Sequence, residues 1–562
     1  MKLSFGSNPD SNDFFSNKQL SEKVYFLLLG LVLVFIAFIR IRLIDFPLER
    51  DEGEYAYMGQ LMLDGIPPYK FAYNMKLPGT YGMYALFMGL FGETTRGIHT
   101  GFIILNITTI LILFFFVRKL FNSSTALISS AAYGVYALNP YILGFAAHAT
   151  HFLLLFAVSA CYFLLSAKEQ KGSLPYFFIG FLFGMSFLMK QQAIFLILFS
   201  GIYFLFLNYL SWKEGNFELF SFFQKGLMLV IGTILPFLIT VFILYIWGVF
   251  PSFWYWTFQY ASKYAGMSTL SEGLINLKSV FKLLTYGYQI LWILTAIGFI
   301  IYLILSHPIY KKVYLYLLVF FSFLTTTPGL YFREHYFIGF IPFAFIFFGI
   351  SMEFIRIQVF NKIERMNQKH TKWTLYSSFI IICILFLVIF KFKAHKDYYF
   401  KETPLRLSRQ IYGVNPFQEA IQISKYIKEN TKEEDQIIVL GSEPEIYFYS
   451  NRKSATGYIY MYPLMEIHPY SKEMQIDLVK DLETKEHSHL IYVNQKLNYT
   501  WGILQKSERY LLDWIDKNKN EKYELVGIAE IISLDETIYK WGDEAKSYKP
   551  QSDYYIEVLR KK

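Results

Sequence analysis

The stretch Leu48-Glu49-Arg50-Asp51-Glu52-Gly53-Glu54-Tyr55-Ala56-Tyr57 gathers five charged side chains directly behind the first long apolar run. Carboxylates at a membrane boundary lose hydration and gain nothing from lipid, so such a cluster is kept for a charged partner, an ion or chemistry. Asp51 and Glu52 are the first candidates for catalytic groups. As neighbours they cannot share a helix face, so at most one points at a reacting group. The same acids would also suit the N-cap of a helix over 54–63, where the helix dipole favours negative charge. Charge alone leaves both readings open.

Other residues could serve a leaving phosphate. Arg333 lies in Thr327-Pro328-Gly329-Leu330-Tyr331-Phe332-Arg333-Glu334-His335-Tyr336-Phe337, a turn entering an apolar run. Its guanidinium suits phosphate geometry, or it snorkels to headgroups. Lys190, in Lys190-Gln191-Gln192, ends an apolar run on the side where basic residues are disfavoured. Lipid-phosphate contact and interface anchoring both fit it. His148 and His151, three apart, share a helix face. Zinc would need a third ligand and none is spaced to help, so a hydrogen-bonded place in a substrate vestibule is expected of them. The aromatic run Phe253-Trp254-Tyr255-Trp256 with Tyr260 and Tyr264 reads as an interfacial anchor before it reads as a sugar-stacking surface.

The elements that must hold these groups are mostly hydrocarbon. The 562 residues are 54% hydrophobic and 20% aromatic but only 17% charged. The apolar residues come in long runs, which makes this a polytopic membrane protein. The formal charge of +9 is explained by Lys and Arg in cytoplasmic loops, and no nucleic-acid partner is expected. Cys161 and Cys383 each lie inside an apolar run, so neither a disulfide nor a Cys-based metal site is expected.

About eleven stretches approach the ~20 residues a bilayer requires. They fall near 23–43, 97–117, 123–143, 145–166, 174–190, 193–210, 226–248, 281–305, 312–327, 335–352 and 373–391. Basic residues alternate with them: Arg118-Lys119, Lys168 with Lys171, Lys213 with Lys225, Lys311-Lys312, and the run Arg356, Lys362, Arg365, Lys369, Lys372. These place the N-terminus in the cytoplasm and the loop 45–96, together with everything after 392, outside the cell membrane. Arg40 and Arg42 break the pattern, either by snorkelling or by pairing with the acidic stretch. The polar segment Met1–Lys23 precedes an apolar run too long for a signal peptide, so that run is expected to stay as an anchor.

Three parts are expected: a cytoplasmic tail 1–22, a membrane domain 23–391, and a soluble extracytoplasmic domain 392–562. In the last, β-rich runs at 436–440, 489–493 and 525–532 alternate with helical stretches such as 417–429. That pattern predicts a small α/β domain with a few parallel strands. It shows no nucleophile or metal set, so a role in acceptor choice without a catalytic group is expected of it. Within 45–96, Gly, Pro and charge exclude a transmembrane hairpin, and helices lying along the interface are expected near 54–63 and 77–91.

The order Asp51-Glu52-Gly53-Glu54-Tyr55, the turn Gly65-Ile66-Pro67-Pro68-Tyr69, Lys76-Leu77-Pro78, Phe91-Gly92 and Arg96 resembles the first external loop of GT-C glycosyltransferases. The nearest kin are similar to glycosyltransferase family 39, the protein O-mannosyltransferases, and to bacterial lipid A aminoarabinose transferases. The resemblance is specific over about 45–100 and extends as architecture to about 390. It implies an all-α GT-C-like bundle that takes a sugar from a polyprenyl-phosphate donor and passes it, with inversion, to a lipid, glycan or protein acceptor on the external face. The residue matching Asp51 would be the general base. Lys76 matches a lysine that holds the carrier phosphate, although here Met75 stands where the aminoarabinose enzymes have Glu. Arg-x-His-Tyr-Phe around Arg333 resembles a further feature of the superfamily. Arg96, His148, His151, His335 and Tyr336 are read as lining the substrate vestibule, and a divalent metal cofactor is left open. A transporter or flippase of lipid-linked glycans is the rival reading, but transporters place polar groups near mid-membrane in paired repeats, and no repeat occurs here.

Overall fold

The computed structural model describes residues 21–167, 172–365, 396–494 and 507–562 with 379, 382, 383 and 501, side chains excepted over 360–365. The eleventh expected span apart from 379, 382 and 383, the basic residues 168, 171, 369 and 372, and the tail up to 20 lie outside the described residues. In chain order the helices that concern the site are α1 (Glu22–Arg42), α2 (Arg50–Leu63), α3 (Gly79–Phe91), α4 (Thr95–Leu120), α5 (Ser123–Tyr136), α6 (Ala149–Leu165), α7 (Leu174–Met189), α8 (Ile194–Lys213) and α9 (Leu219–Ile246). The chain divides into two compact units. The first is Met1–Arg42, Phe102–Thr240 and Ala265–Lys401; the second is Leu43–Gly101, Val241–Tyr264 and Glu402–Lys562.

The first unit is the apolar bundle. Among the described residues, five helices are long and apolar enough to cross a membrane: Glu22–Arg42, Thr95–Leu120, Gln191–Lys213, Leu219–Ile246 and Ile341–Val359. Others are short of the ~20 residues of a full crossing; Ala149–Leu165 has 17 and Leu174–Met189 has 16. The span expected over 281–305 is instead a pair, Leu270–Thr285 and Gln289–Ile304, meeting at 108°. Gly287 at the break has φ +73°, a left-handed conformation that glycine adopts without strain and that no helix interior tolerates. Arg40, at the end of α1, is 5% exposed. Its guanidinium donates to the carbonyls of Gly144 (3.0 Å) and Ala137 (3.5 Å) and lies over the Phe102 ring. It therefore fastens the turn that leads into α6.

The second unit joins the first long connection to the C-terminal segment. Its sheet has the order β2-β1-β3-β6-β4-β5, with β1 Gln436–Leu440, β2 Lys453–Ser454, β3 His489–Val493, β4 Tyr523–Ile531, β5 Thr537–Trp541 and β6 Tyr555–Lys561. Only β2, β1 and β3 are parallel; β6 runs antiparallel to β3 and β4, and β5 antiparallel to β4. The few parallel strands expected are β2, β1 and β3; β4 and β5 form a hairpin across a short turn, and β6 comes from further along the chain to lie antiparallel between β3 and β4. The core is formed by Ile438, Leu440, Leu478, Leu490 and Leu559. Trp256 and Tyr260 belong to the same core, and Tyr73 stacks on Trp256 at 5.3 Å. The aromatic run 253–264 is thus largely structural packing rather than an exposed anchor: Phe253 is fully buried, while Trp254 remains 42% exposed. Rings that find an apolar protein face have no need of the headgroup layer.

Candidate active site

Helix α2 begins at Arg50, with Glu49 as N-cap accepting from the Glu52 amide at 3.0 Å. Neither Asp51 nor Glu52 is the cap. Both fall in the first turn, where the helix dipole favours them. Capping by Glu49 leaves both carboxylates for other partners. The helix ends at Asp64 before Gly65 at φ +73°, and the chain returns through Pro67-Pro68 to bring Lys76 back beside α2. There the ammonium lies 2.8 Å from Asp51 Oδ1 and 2.7 Å from Glu54 Oε2. Its Nζ also sits 4.5 Å from the centre of the Tyr55 ring. Asp51 and Glu54 share a face because they are three residues apart; Glu52 points elsewhere. The Glu52 carboxylate is fully buried and faces His99 Nε2 at 3.2 Å.

Glu54 is the most enclosed member. Its Oε2 receives Lys76 and the Tyr460 hydroxyl (3.0 Å), and its Oε1 receives the Tyr81 hydroxyl (2.7 Å). Burial raises its carboxyl above the usual range even though Lys76 opposes the shift. For Lys76, burial pulls the pKa down, but the charges of Asp51 and Glu54 prevail and hold the ammonium well above its usual value. The cation is locked on at any working pH. A divalent ion between these two carboxylates would have to displace the ammonium, so this pair as arranged does not fit one. Asp51 retains a side-chain exposure of 27%, enough to meet a proton donor. It is the one carboxylate of the set that is both charge-paired and reachable.

Among the other expected residues, Arg96 lies far from enclosure. Its guanidinium, 71% exposed, makes a two-pronged pair with Asp45 at 2.6 and 2.8 Å. In the bundle unit, His148 and His335 stack with ring centres 4.3 Å apart, and His151 sits edge-on to Phe102 at 4.7 Å. Lys190 donates to the Thr150 hydroxyl at 2.9 Å and lies 4.0 Å over the Tyr336 ring. Arg333 lies 5.6 Å from the Tyr331 ring centre. The structure therefore brings together Asp51 with Lys76, His148 with His335, and Lys190 with Tyr336.

Sequence reasoning missed Glu54, Tyr81 and Tyr460. Glu54 carried a usable signal, its three-residue spacing from Asp51. A second signal was Gly53: a Cβ there would stand 2.7 Å from the Glu445 Cβ and backbone nitrogen, so the helix is built to pack on a backbone. Nothing near Tyr460 in sequence marks it.

Residues 78–240 match the family model described as Dolichyl-phosphate-mannose-protein mannosyltransferase. The match starts just beyond Lys76. Residues 417–511 match a family described as the C-terminal domain of the competence-induced protein Ccs4. No curated protein matches the chain. Among solved structures, ArnT from Cupriavidus metallidurans bound to undecaprenyl phosphate is similar with a TM-score of 0.55 and 10% identity, over 96% of this chain and 98% of that one. The apo oligosaccharyltransferase of Archaeoglobus fulgidus gives 0.53 and 11%, over 95% and 76%. The archaeal oligosaccharyltransferase AglB from the same organism, in complex with an inhibitory peptide and a dolichol-phosphate, gives 0.52 and 10%, over 95% and 76%. The chain is a multi-pass membrane protein that resembles GT-C glycosyltransferases in fold over nearly its whole length.

Proposed function

We propose that the protein transfers a sugar from a polyprenyl-phosphate donor to an acceptor hydroxyl on the external face of the cell membrane, with inversion, and that Asp51 is the general base. The observation that carries this is the Asp51–Lys76–Glu54 arrangement at the start of α2 within a GT-C-like fold. The undecaprenyl phosphate bound by ArnT and the dolichol-phosphate bound by AglB beside an inhibitory peptide support a lipid-phosphate donor. Asp51 takes the proton as the acceptor oxygen bonds to the anomeric carbon. The bond from that carbon to the phosphate oxygen breaks, and the phosphate leaves with the electron pair. Lys76 supplies positive charge where negative charge moves from acceptor to phosphate, which is worth most in a partly dry site. Lys190 and Arg333 are proposed as further phosphate contacts, and His148, His151, His335, Tyr336 and Arg96 as vestibule residues.

The test uses full-length protein in lipid nanodiscs with a panel of labelled polyprenyl-phosphate sugars and mass identification of the labelled product. Release of free polyprenyl phosphate together with a glycosylated acceptor is expected. Movement of intact labelled lipid across a vesicle membrane with no sugar transfer would establish the transporter instead.

A further inference from the structure

The segment 442–462 has no part in the chemistry above, yet it lies along α2 through its first two turns. Arg50 donates to Ser442 O at 2.6 Å and to Glu443 Oε1 at 3.2 Å. Gly53 packs on Glu445, the Ser454 amide donates to the Tyr57 hydroxyl at 2.8 Å, and the Leu48 amide donates to the Tyr449 hydroxyl at 2.8 Å. Within this segment, Tyr460 reaches the acidic set. Its oxygen is 3.0 Å from Glu54 Oε2 and 3.0 Å from the Arg50 carbonyl. A phenol has one proton, and a carboxylate is the stronger acceptor. The proton therefore goes to Glu54.

We propose that Tyr460 is a positioning residue: its hydroxyl holds the Glu54 carboxylate ionised and oriented toward Lys76, so that the C-terminal domain takes part in turnover rather than in acceptor choice alone. The consequence for turnover rests on the transferase reading; the consequence for Glu54 rests on geometry.

Glu54 is fully buried, so each donor to its charged form matters. The groups that face it are the Lys76 ammonium, the Tyr81 and Tyr460 hydroxyls, Asp51 one turn back, and the phenols of Tyr55 and Tyr69. Burial, then the Glu54 charge, holds the Tyr460 phenol well above its usual range, so it stays a donor. Losing a donor to the ionised form moves a carboxyl upward. Once Glu54 is protonated, Lys76 keeps only Asp51 as a charged partner on this face. It then pulls harder on the base and lowers that carboxylate's affinity for a proton.

The test reads Glu54 directly in the full-length protein in nanodiscs. A hydrophobic carbodiimide, which reacts with protonated carboxyl groups, is applied across a pH series, and peptide mass spectrometry quantifies modification at Glu54. Tyr460→Phe is expected to raise the pH of half-modification and to lower turnover about tenfold, the worth of one hydrogen bond to a charged group. Tyr449→Phe, which removes a hydroxyl that docks Leu48 without touching Glu54, is expected to leave that pH where it is in the wild type. Thermal midpoints measured alongside show that both variants are folded. An unchanged Glu54 midpoint in Tyr460→Phe, or an equal shift in both variants, overturns the proposal. A raised midpoint in a protein that transfers no sugar would instead sink the transferase reading and leave the contact between Tyr460 and Glu54 standing.

Discussion

Two lysines in this molecule are held in opposite ways. Lys76, in the unit that carries the sheet, sits between the carboxylates of Asp51 and Glu54 at 2.8 and 2.7 Å. Lys190, in the apolar bundle, rests on the Thr150 hydroxyl and the face of Tyr336. Counter-charges can fix an ammonium firmly, but the whole set then becomes interdependent: removing any one member strands another away from water. A hydroxyl and a ring face each hold an ammonium more weakly than a carboxylate does. The first arrangement suits a site where the charge must be in one place; the second suits a surface that tolerates several ligand positions.

The largest effect is expected where that interdependence meets the chemistry. Asp51→Asn keeps the shape of the side chain but cannot take a proton. Single-turnover rates should fall by about 10²–10⁴, the usual worth of a general base, while donor binding changes little. Glu52→Gln should cost less in rate, because that carboxylate faces His99 and not Lys76. The reverse ranking would move the base by one residue, and normal turnover in both would discard the mechanism.

A middle effect is expected in stability. Lys76→Met leaves Glu54 buried without its cation and should destabilise the protein by about 3 kcal/mol, the low end for a broken buried pair because the lysine keeps some exposure. Adding Glu54→Gln should return part of that loss, and the double-mutant cycle measures the coupling. Strict additivity in denaturant titrations would mean the pair is not coupled as its geometry implies.

The smallest effect belongs to the bundle lysine. Tyr336→Leu removes the ring beneath Lys190 and should cost about 0.5–1 kcal/mol, the range of a cation–π contact. A loss as large as that of Lys76→Met would show that the two sites are not the two kinds of arrangement described above.

Some of this was legible beforehand. The positions of most apolar helices among the described residues, the strands near 436–440 and 489–493, and the two helices of the first long connection follow from hydrophobic runs and turn residues. The break at Gly287 was harder to see, since one glycine inside an apolar run reads as tolerated until its φ is known. The anchor reading of 253–264 failed because aromatic composition does not say whether a ring faces lipid or protein. Asp51 and Lys76 could each be found, one by its charge in an apolar chain and the other through a family resemblance. Their contact, across 25 residues, could not.

What the sequence by itself determined is the part governed by local physics: a membrane chain, from runs of apolar residues; a charged helix start, from acids in a first turn; and an α/β segment, from a change of periodicity. What only the tertiary structure decided is which charges meet. Glu54 lies in plain view beside Asp51, but its role depends on Lys76 returning through a double-proline turn, on Tyr81 from the next helix, and on Tyr460 from some 400 residues further along. Periodicity sets the face on which a side chain stands. Burial and pairing, which set its charge, come from whatever the rest of the chain packs against that face.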